Sequence, residues 1–337
     1  MKKLKVAFFQ RRPRPNFNYS MEAIFADVRA RLSDRIEATV HLCKEYNDGA
    51  KSKITNIVEA KARQGSEVNH ITGEVHFLNL LMDSNRVLLT IHDCRFMQRK
   101  AGSKVQSLIM NYLYLKWPVA KSRYVTTVSE TTKKDIIKYT GCSPEKILVI
   151  PVAVSQDYQP ATKEFNSTKP NILHIGTGDN KNIPRLAEAL AGINCQLTII
   201  GRLKPEQIEL LKKHNISYTN KFGLSQNEMV DAYRQCDIVS FVSTFEGFGM
   251  PIIEANATER VVITSNCSSM PEVAGNAALL VDPFEVSSIR SGIIELIEDP
   301  SLRKTLIENG RQNRERFSPD AIATQYYDLY KKIAVSN

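Results

Sequence analysis

Short apolar runs rich in β-branched residues recur along this chain, with amphipathic stretches between them. That alternation constrains the fold more than any other feature. A strand that is apolar on both faces must be covered on both faces, and parallel sheets flanked by helices do this. The strand candidates in the first half are LKVAFF (4–9), IEATVHL (36–42), VLLTI (87–91), YVTTVS (124–129) and KILVIP (146–151). In the second half they are NILHIG (171–176), CQLTIIG (195–201), ISYTNKF (216–222), DIVSFVS (237–243) and VVITSN (261–266). Helical patterns such as IPRLAEALAG and QNEMVDAYRQ fill the gaps. A chain of 337 residues exceeds one ordinary core and suits two domains. The polar, proline-punctuated stretch SQDYQPATKEFNSTKP (155–170) reads as the linker between them. The expected architecture is α/β, with two doubly wound, Rossmann-like parallel-sheet domains facing a cleft. Their spans are 1–155 and 156–317, followed by a C-terminal helix over 318–337 that packs back on the first domain. That helix opens on a Ser-Pro start signal and carries an apolar stripe. Ligands of such folds gather at the carboxyl ends of the strands, so functional residues are sought just after strands.

Composition narrows the function. Hydrophobic residues make up 42% and charged residues 24%, the balance of a soluble globular protein. No apolar run is long enough to span a membrane. The apolar part of MKKLKVAFFQRRPRP, Leu4 to Phe9, is too short for a signal peptide and runs into arginines, so it reads as a buried first strand. The six cysteines are scattered without a CxxC pair, which suits reduced thiols in a cytoplasm. The net charge of +9 points to an anionic partner: nucleic acid, a membrane surface or a phosphorylated ligand. Between 95 and 123, Arg95, Arg99, Lys100, Lys104, Lys116, Lys121 and Arg123 occur with no acid among them, around the helically spaced apolar run SLIMNYLYLKW. That pattern fits a core helix with a basic outer face, or a helix lying on an anionic leaflet from the cytoplasmic side. Tyr112, Tyr114 and Trp117 follow helical spacing rather than a stacking groove, so nucleic-acid binding is not expected.

The stretch EGFGMPIIE (246–254) follows the strand DIVSFVS and turns into a helix. Gly247 and Gly249 give the loop conformational freedom, and Pro251 suits a first helical turn. A helix N-terminus favours anions. Glu246 on the loop and Glu254 inside the helix can accept hydrogen bonds from hydroxyls at two ends of a ligand, with phosphates on amides between. That is the layout of a sugar nucleotide. Acids placed only to complement the helix dipole are the competing explanation. The GTG at 176–178 lacks the third glycine of a dinucleotide fingerprint, which argues against a nicotinamide dehydrogenase.

EGFGMPIIEA, followed by SNCSSMPEVAGNAALLVDP, closely resembles the E-x7-E region of retaining glycosyltransferases of the GT-B fold, glycosyltransferase family 4, the group 1 glycosyltransferases. The resemblance includes LHIGTGDNKNIPRLAEAL (173–190) and QLTIIG, and extends back through VTTVSETTKKDIIKYTGCSPEKILVIPVAVSQDYQP (125–160). It implies an acceptor-side first domain and a donor-binding second domain. It implies that Glu246 contacts hydroxyls of the transferred sugar. Gly247, Phe248, Gly249 and Met250 would offer backbone amides to sugar and diphosphate, and Glu254 would accept from the ribose. Lys181 matches the lysine on the donor phosphates, beside Gly176 and Thr177, and the base would lie near Phe222 and Gly223. His92, straight after VLLTI and followed by Asp93, resembles the active-site histidine. Ser129, with Glu130 and Thr131, matches a hinge-side region and also reads as a helix N-cap. His70 and His76 flank the loop ITGEV, where they read as caps of local turns, and His70 also follows a strand-like stretch. The chain departs from the family after its first strand, where QRRPRPNFNYSMEAIF replaces a glycine-rich loop. Arg11, Arg12 and Arg14 stand there, suited to a phosphorylated acceptor or equally to a solvated loop.

The implied reaction moves a hexosyl group from a nucleoside diphosphate sugar to a hydroxyl of a saccharide or lipid-linked saccharide, with retention, in cell-surface polysaccharide or glycan biosynthesis. No metal is required by the resemblance, and no DxD motif is present. The alternatives are a sugar-nucleotide epimerase or hydrolase of the same architecture, or a non-catalytic binding protein.

Overall fold

The structure is a computed structural model that describes residues 2–13, 20–98, 108 and 110–335. The chain forms two compact units, Met1–Ala153 with Pro319–Asn337, and Val154–Ser318.

In the first unit a six-stranded sheet runs in the order β2-β1-β3-β4-β5-β6. The strands are β1 (Leu4–Gln10), β2 (Ile36–Leu42), β3 (Val68–Ile71), β4 (Val87–Ile91), β5 (Tyr124–Thr127) and β6 (Ile147–Val149). Every pairing is parallel. Strand periodicity sends alternate β1 side chains to opposite faces. Val6 and Phe8 pack with Phe25 of the helix Ser20–Arg31 and with Ile322, Tyr326 and Tyr330 of the C-terminal helix Pro319–Val335. Ala7 and Phe9 pack on the other face with Leu78, Leu115 and Val119. Each fully buried side chain of this size contributes about 1.5–3 kcal/mol. Strand β1 lies between β2 and β3, so the order reverses there.

The second unit has the order β12-β11-β10-β7-β8-β9, again all parallel. Its strands are β7 (Asn171–Ile175), β8 (Gln196–Ile200), β9 (Tyr218–Lys221), β10 (Ile238–Phe241), β11 (Val261–Ser265) and β12 (Leu279–Val281). Here the switch lies between β7 and β10. The core joins Leu197, Ile199, Ile238 and Ile263 to Leu186 and Leu190 on one helix and Ile289 and Ile293 on another. The stretch 155–170 has no helix or strand, yet it is pinned to the second unit. Asp237, before β10, accepts from the backbone of Asn166 (3.1 Å) and Asn171 (2.8 Å) and pairs with Lys163.

Two strands escape the sequence pattern. In β3 the buried residues include Asn69 and His70, so VNHI does not read as apolar. Asn69 bonds Gly65, accepting from its N–H at 2.6 Å. His70, expected just past a strand-like stretch, lies inside the strand. Its ring nitrogens meet Tyr330 Oη (2.8 Å) and Thr90 Oγ1 (2.7 Å), which makes it a core histidine tying the C-terminal helix to the sheet. Strand β12 spans three residues, too few for periodicity to show.

Candidate functional site

The second unit brings two loops together at its switch point. One follows β7 and holds Gly176 to Lys181; the other follows β10 and holds Glu246 to Gly249. Lys181 Nζ donates to Glu246 Oε1 at 2.7 Å, and Asn180 Nδ2 donates to the same oxygen at 2.9 Å. The lysine ammonium also lies 4.6 Å from the centre of the Phe241 ring, a cation–π contact. Gly176 makes this possible. Its φ is +94°, and a Cβ there would stand 2.7 Å from Lys181 Cε. Glycine is therefore required both for the backbone and for the lysine that crosses it. The Glu246 backbone is fixed by Ser268 and Ser269. Its N–H donates to Ser268 Oγ (3.1 Å), and its carbonyl accepts from both hydroxyls (2.7 and 2.9 Å). Ser269 Oγ also donates to the Phe248 carbonyl at 2.6 Å.

The helix Met250–Ala257 begins at Gly249, whose φ of +125° again favours glycine. Phe248 turns its side chain inward against Phe317, ring centres 5.6 Å apart, which leaves its backbone as the part available to a ligand. Glu254 is only 9% exposed. Its Oε2 accepts a short hydrogen bond from Tyr233 Oη, and the Tyr158 ring packs edge-on against Tyr233 with centres 5.3 Å apart, its hydroxyl near the same carboxylate. Burial pushes the Glu254 carboxyl up, while the two tyrosine hydroxyls and Lys181 pull it back. The same burial, with the adjacent carboxylate, raises both phenols. A carboxylate has about four lone-pair sites, so the Tyr233 donor leaves capacity for a ligand diol.

Beneath the loops, His174 Nδ1 meets the Ser240 carbonyl at 3.1 Å and Nε2 has no protein partner. Burial, with the Lys181 charge, pushes this ring down to about 4, so it is neutral at pH 7. Asn180 Oδ1, Ser240 Oγ and Ser243 Oγ are likewise buried without protein partners. To one side, Thr177 Oγ1 donates to the Arg202 carbonyl (2.8 Å), and the Arg202 guanidinium lies 5.0 Å from the Phe222 ring centre. Phe222 is 57% exposed, and Gly223 beside it has φ +68°.

In the first unit, His92 follows β4 with its Nε2 buried and without a protein partner. Burial first, then the charges of His76 and Arg11, push it down to about 4. Gln10 Nε2 and Thr127 Oγ1, at the ends of β1 and β5, are buried and unpartnered too. Asp93 turns back to accept from the Arg95 N–H at 2.9 Å. His76 is buried against the Tyr114 carbonyl (2.8 Å), a core contact rather than an exposed loop cap. Ser129 is fully buried and accepts from the Thr132 N–H at 3.1 Å as the N-cap of Glu130–Thr140. Capping, which the sequence also suggests for Ser129, is therefore present in the structure. Arg11 is committed to Glu22 (2.6 Å) and Glu74 (3.4 Å), and Arg12 donates to the Lys44 carbonyl (2.6 Å). Arg14, with Arg99, Lys100 and Lys104 of the basic run, lies outside the described residues.

Asn180, Ser268, Ser269, Tyr158 and Tyr233 were not singled out by sequence reasoning. The serines sit in SNCSSMPEVAG, a stretch that carries the resemblance, whereas nothing in the sequence pairs Tyr158 with Glu254. Among the described residues no three His, Cys, Asp or Glu side chains gather as metal ligands, and no helix is long and apolar enough to cross a membrane.

Residues 155–313 match the family described as glycosyl transferases group 1. The MMP alpha-(1->4)-mannosyltransferase of Mycolicibacterium hassiacum is 28% identical over 222 residues, 61% of this chain and 53% of that protein. The O-antigen chain mannosyltransferase B of Escherichia coli is 26% identical over 231 residues, 62% of this chain and 61% of that protein. The matched length is thus about half to three-fifths of these curated relatives. Among solved structures, Anabaena HepE in complex with UDP and glucose superposes with a TM-score of 0.76 over 98% of this chain and 100% of that one, at 15% identity.

Proposed function

We propose, starting from the membership of this chain in the group 1 glycosyl transferases of the GT-B fold, that it transfers a hexosyl group from a nucleoside diphosphate sugar to a saccharide or lipid-linked saccharide hydroxyl, with retention as in family 4. The single observation that carries this reading is the Lys181–Glu246 pair at the switch point, 2.7 Å apart, next to the start of the helix Met250–Ala257. A cation and a carboxylate side by side suit a ligand that is anionic at one end and hydroxylated at the other. As the sugar–diphosphate bond breaks, negative charge grows on the leaving oxygen. Lys181 and the amides of Gly247 to Met250 would stabilise that charge. Glu246 would hold the sugar hydroxyls, and Glu254, set by its two tyrosines, the ribose. The bond from the anomeric carbon to the diphosphate oxygen is replaced by one to the acceptor oxygen, whose proton passes to the departing phosphate. His92 is proposed as a second catalytic residue, acting as a neutral hydrogen-bonding ring at pH 7. The proposed reaction draws its positive charge at the phosphates from Lys181, so chelators should leave it unchanged.

The test is a thermal-shift panel of nucleoside diphosphates and sugar nucleotides, followed by product analysis with and without acceptor. Ligand at a hundredfold its Kd stabilises by about 2.7 kcal/mol, enough to rank the bases. Turnover of donor at full rate without acceptor would instead support an epimerase or hydrolase. The relatives named for O-antigen synthesis support a role in cell-surface polysaccharide assembly. A cytoplasmic position against an anionic membrane is proposed with it. Tyr112 (54% exposed) and Trp117 (40%) stand out beside Lys116, the pattern of an interfacial helix. Co-sedimentation with anionic vesicles that is unaffected by Trp117→Ala would remove this segment from the account.

A further inference from the structure

The first unit has a second concave feature, at the end of its sheet opposite the strand ends that precede His92 and Ser129. Its walls come from residues just before β4, β5 and β6 and from the C-terminal helix, among them Asn85, Arg123, Ser143, Lys146 and Lys332. It is an open groove of about 540 Å³, and among the described residues Glu145 is the one carboxylate on its walls. The cations are close. The Arg123 guanidinium lies 5.7 Å and the Lys332 ammonium 4.7 Å from the centre of the same Tyr124 ring. Lys146 Nζ donates to the Ala120 carbonyl at 3.1 Å, and neither it nor Arg123 is ion-paired among the described residues. Acids on neighbouring segments are already committed, Asp83 to Arg86 and Asp328 to Lys331. Burial and the adjacent Arg123 charge push the Lys146 ammonium below its ordinary range.

Arg123 and Lys146 beside one groove repel one another, more strongly where they are partly shielded from water. An anion between them turns that repulsion into attraction, and a guanidinium fork fits two phosphate oxygens. We propose that this groove binds the phosphate or diphosphate group of a ligand, with Arg123, Lys146 and Lys332 as donors. The site is separate from the loops of the second unit and does not depend on the transferase reading.

Two sources share this chemistry, a soluble small molecule and a phospholipid headgroup. The test uses the full chain carrying Lys181→Ala, so that the phosphate group proposed for the second unit does not contribute. Calorimetric titration with inorganic pyrophosphate is expected to show one saturable site per chain. Adding Arg123→Gln and Lys146→Gln should weaken it at least about tenfold, since each charge-assisted bond is individually worth that much. An unchanged thermal midpoint would show that the double variant is folded. In parallel, co-sedimentation with phosphatidylglycerol vesicles is compared for the same two proteins. Loss of pyrophosphate binding with vesicle binding intact assigns a soluble ligand; loss of vesicle binding assigns a headgroup. If the double variant matches its parent in both assays, or the parent binds neither probe, the proposal is overturned.

Discussion

Lys181 and Glu246 form an ion pair whose side chains are both partly buried, and in the proposed reaction the lysine must serve two anions in turn. Lys181→Met should lower kcat by about 10²–10³-fold, the usual cost of losing a group that stabilises developing charge. Steady-state transfer kinetics measure this, and a thermal midpoint within a few degrees of the parent shows that the fold is kept. Tyr233→Phe probes the other acid. It removes one buried donor from Glu254 and should cost about 1–3 kcal/mol in urea unfolding. If Glu254 holds the donor ribose, the donor KM rises several-fold while kcat changes little, because uniform binding is lost. An unchanged KM would reduce the tyrosine pair to a core contact. These two sites show what the sequence could reveal. Glu246 stands in a loop just after a strand, so its position is legible from the pattern, whereas Lys181 and Gly176 are singled out only through the family resemblance. The Tyr158–Glu254–Tyr233 group is not legible, because Tyr233 follows the apolar face of its helix like any core residue and Tyr158 comes from a stretch that reads as linker.

The helices that flank the second sheet pack closely enough for one atom to matter. In the helix Val286–Glu298, Gly292 faces the sheet, and a Cβ there would meet Val281 Cγ1 at 2.7 Å and Ile263 Cδ1 at 2.9 Å. Gly292→Ala should therefore destabilise by about 1–3 kcal/mol, even though alanine is the better helix former by about 1 kcal/mol. Urea unfolding measures the balance, and a stabilised variant would show that the helix can shift outward. Strand periodicity made β1, β2, β4 and the first strands of the second unit readable, because apolar β-branched runs have few other homes. It did not find β3, where Asn69 and His70 are buried because a glycine and a tyrosine–threonine pair satisfy them. Partners brought by tertiary structure are invisible to a local pattern.

Both units keep histidines neutral in their interiors. His92 and His174 are pushed down to about 4, and His70 lies well below its ordinary range, burial being the first cause each time. In the unfolded chain these rings ionise near about 6.5. Between about 6.5 and 4 the unfolded state therefore binds more protons, and stability falls as pH falls through that window. Each ring adds a slope approaching about 1.4 kcal/mol per pH unit. Glu254, raised by burial, acts in the opposite sense between the ordinary carboxylate value and its own higher one, and offsets part of the histidine slope there. Unfolding in urea should show a clearly lower midpoint at pH 5 than at pH 7.5; equal midpoints would contradict the burial of these rings.

The first unit is closed by Pro319–Val335, whose Tyr326 and Tyr330 reach Phe25 and His70, so the whole second unit is spliced into the chain of the first. During synthesis the two units cannot finish in the order in which they begin. The first sheet leaves the ribosome roughly 180 residues before the helix that covers one of its faces, a delay of about 10–35 s at ordinary elongation rates. Through that interval Val6, Phe8 and Leu88 lack their last partner. The contiguous second unit can fold meanwhile, so the nascent chain is expected to carry a finished second unit behind an unfinished first unit that depends on chaperones until the helix Pro319–Val335 docks.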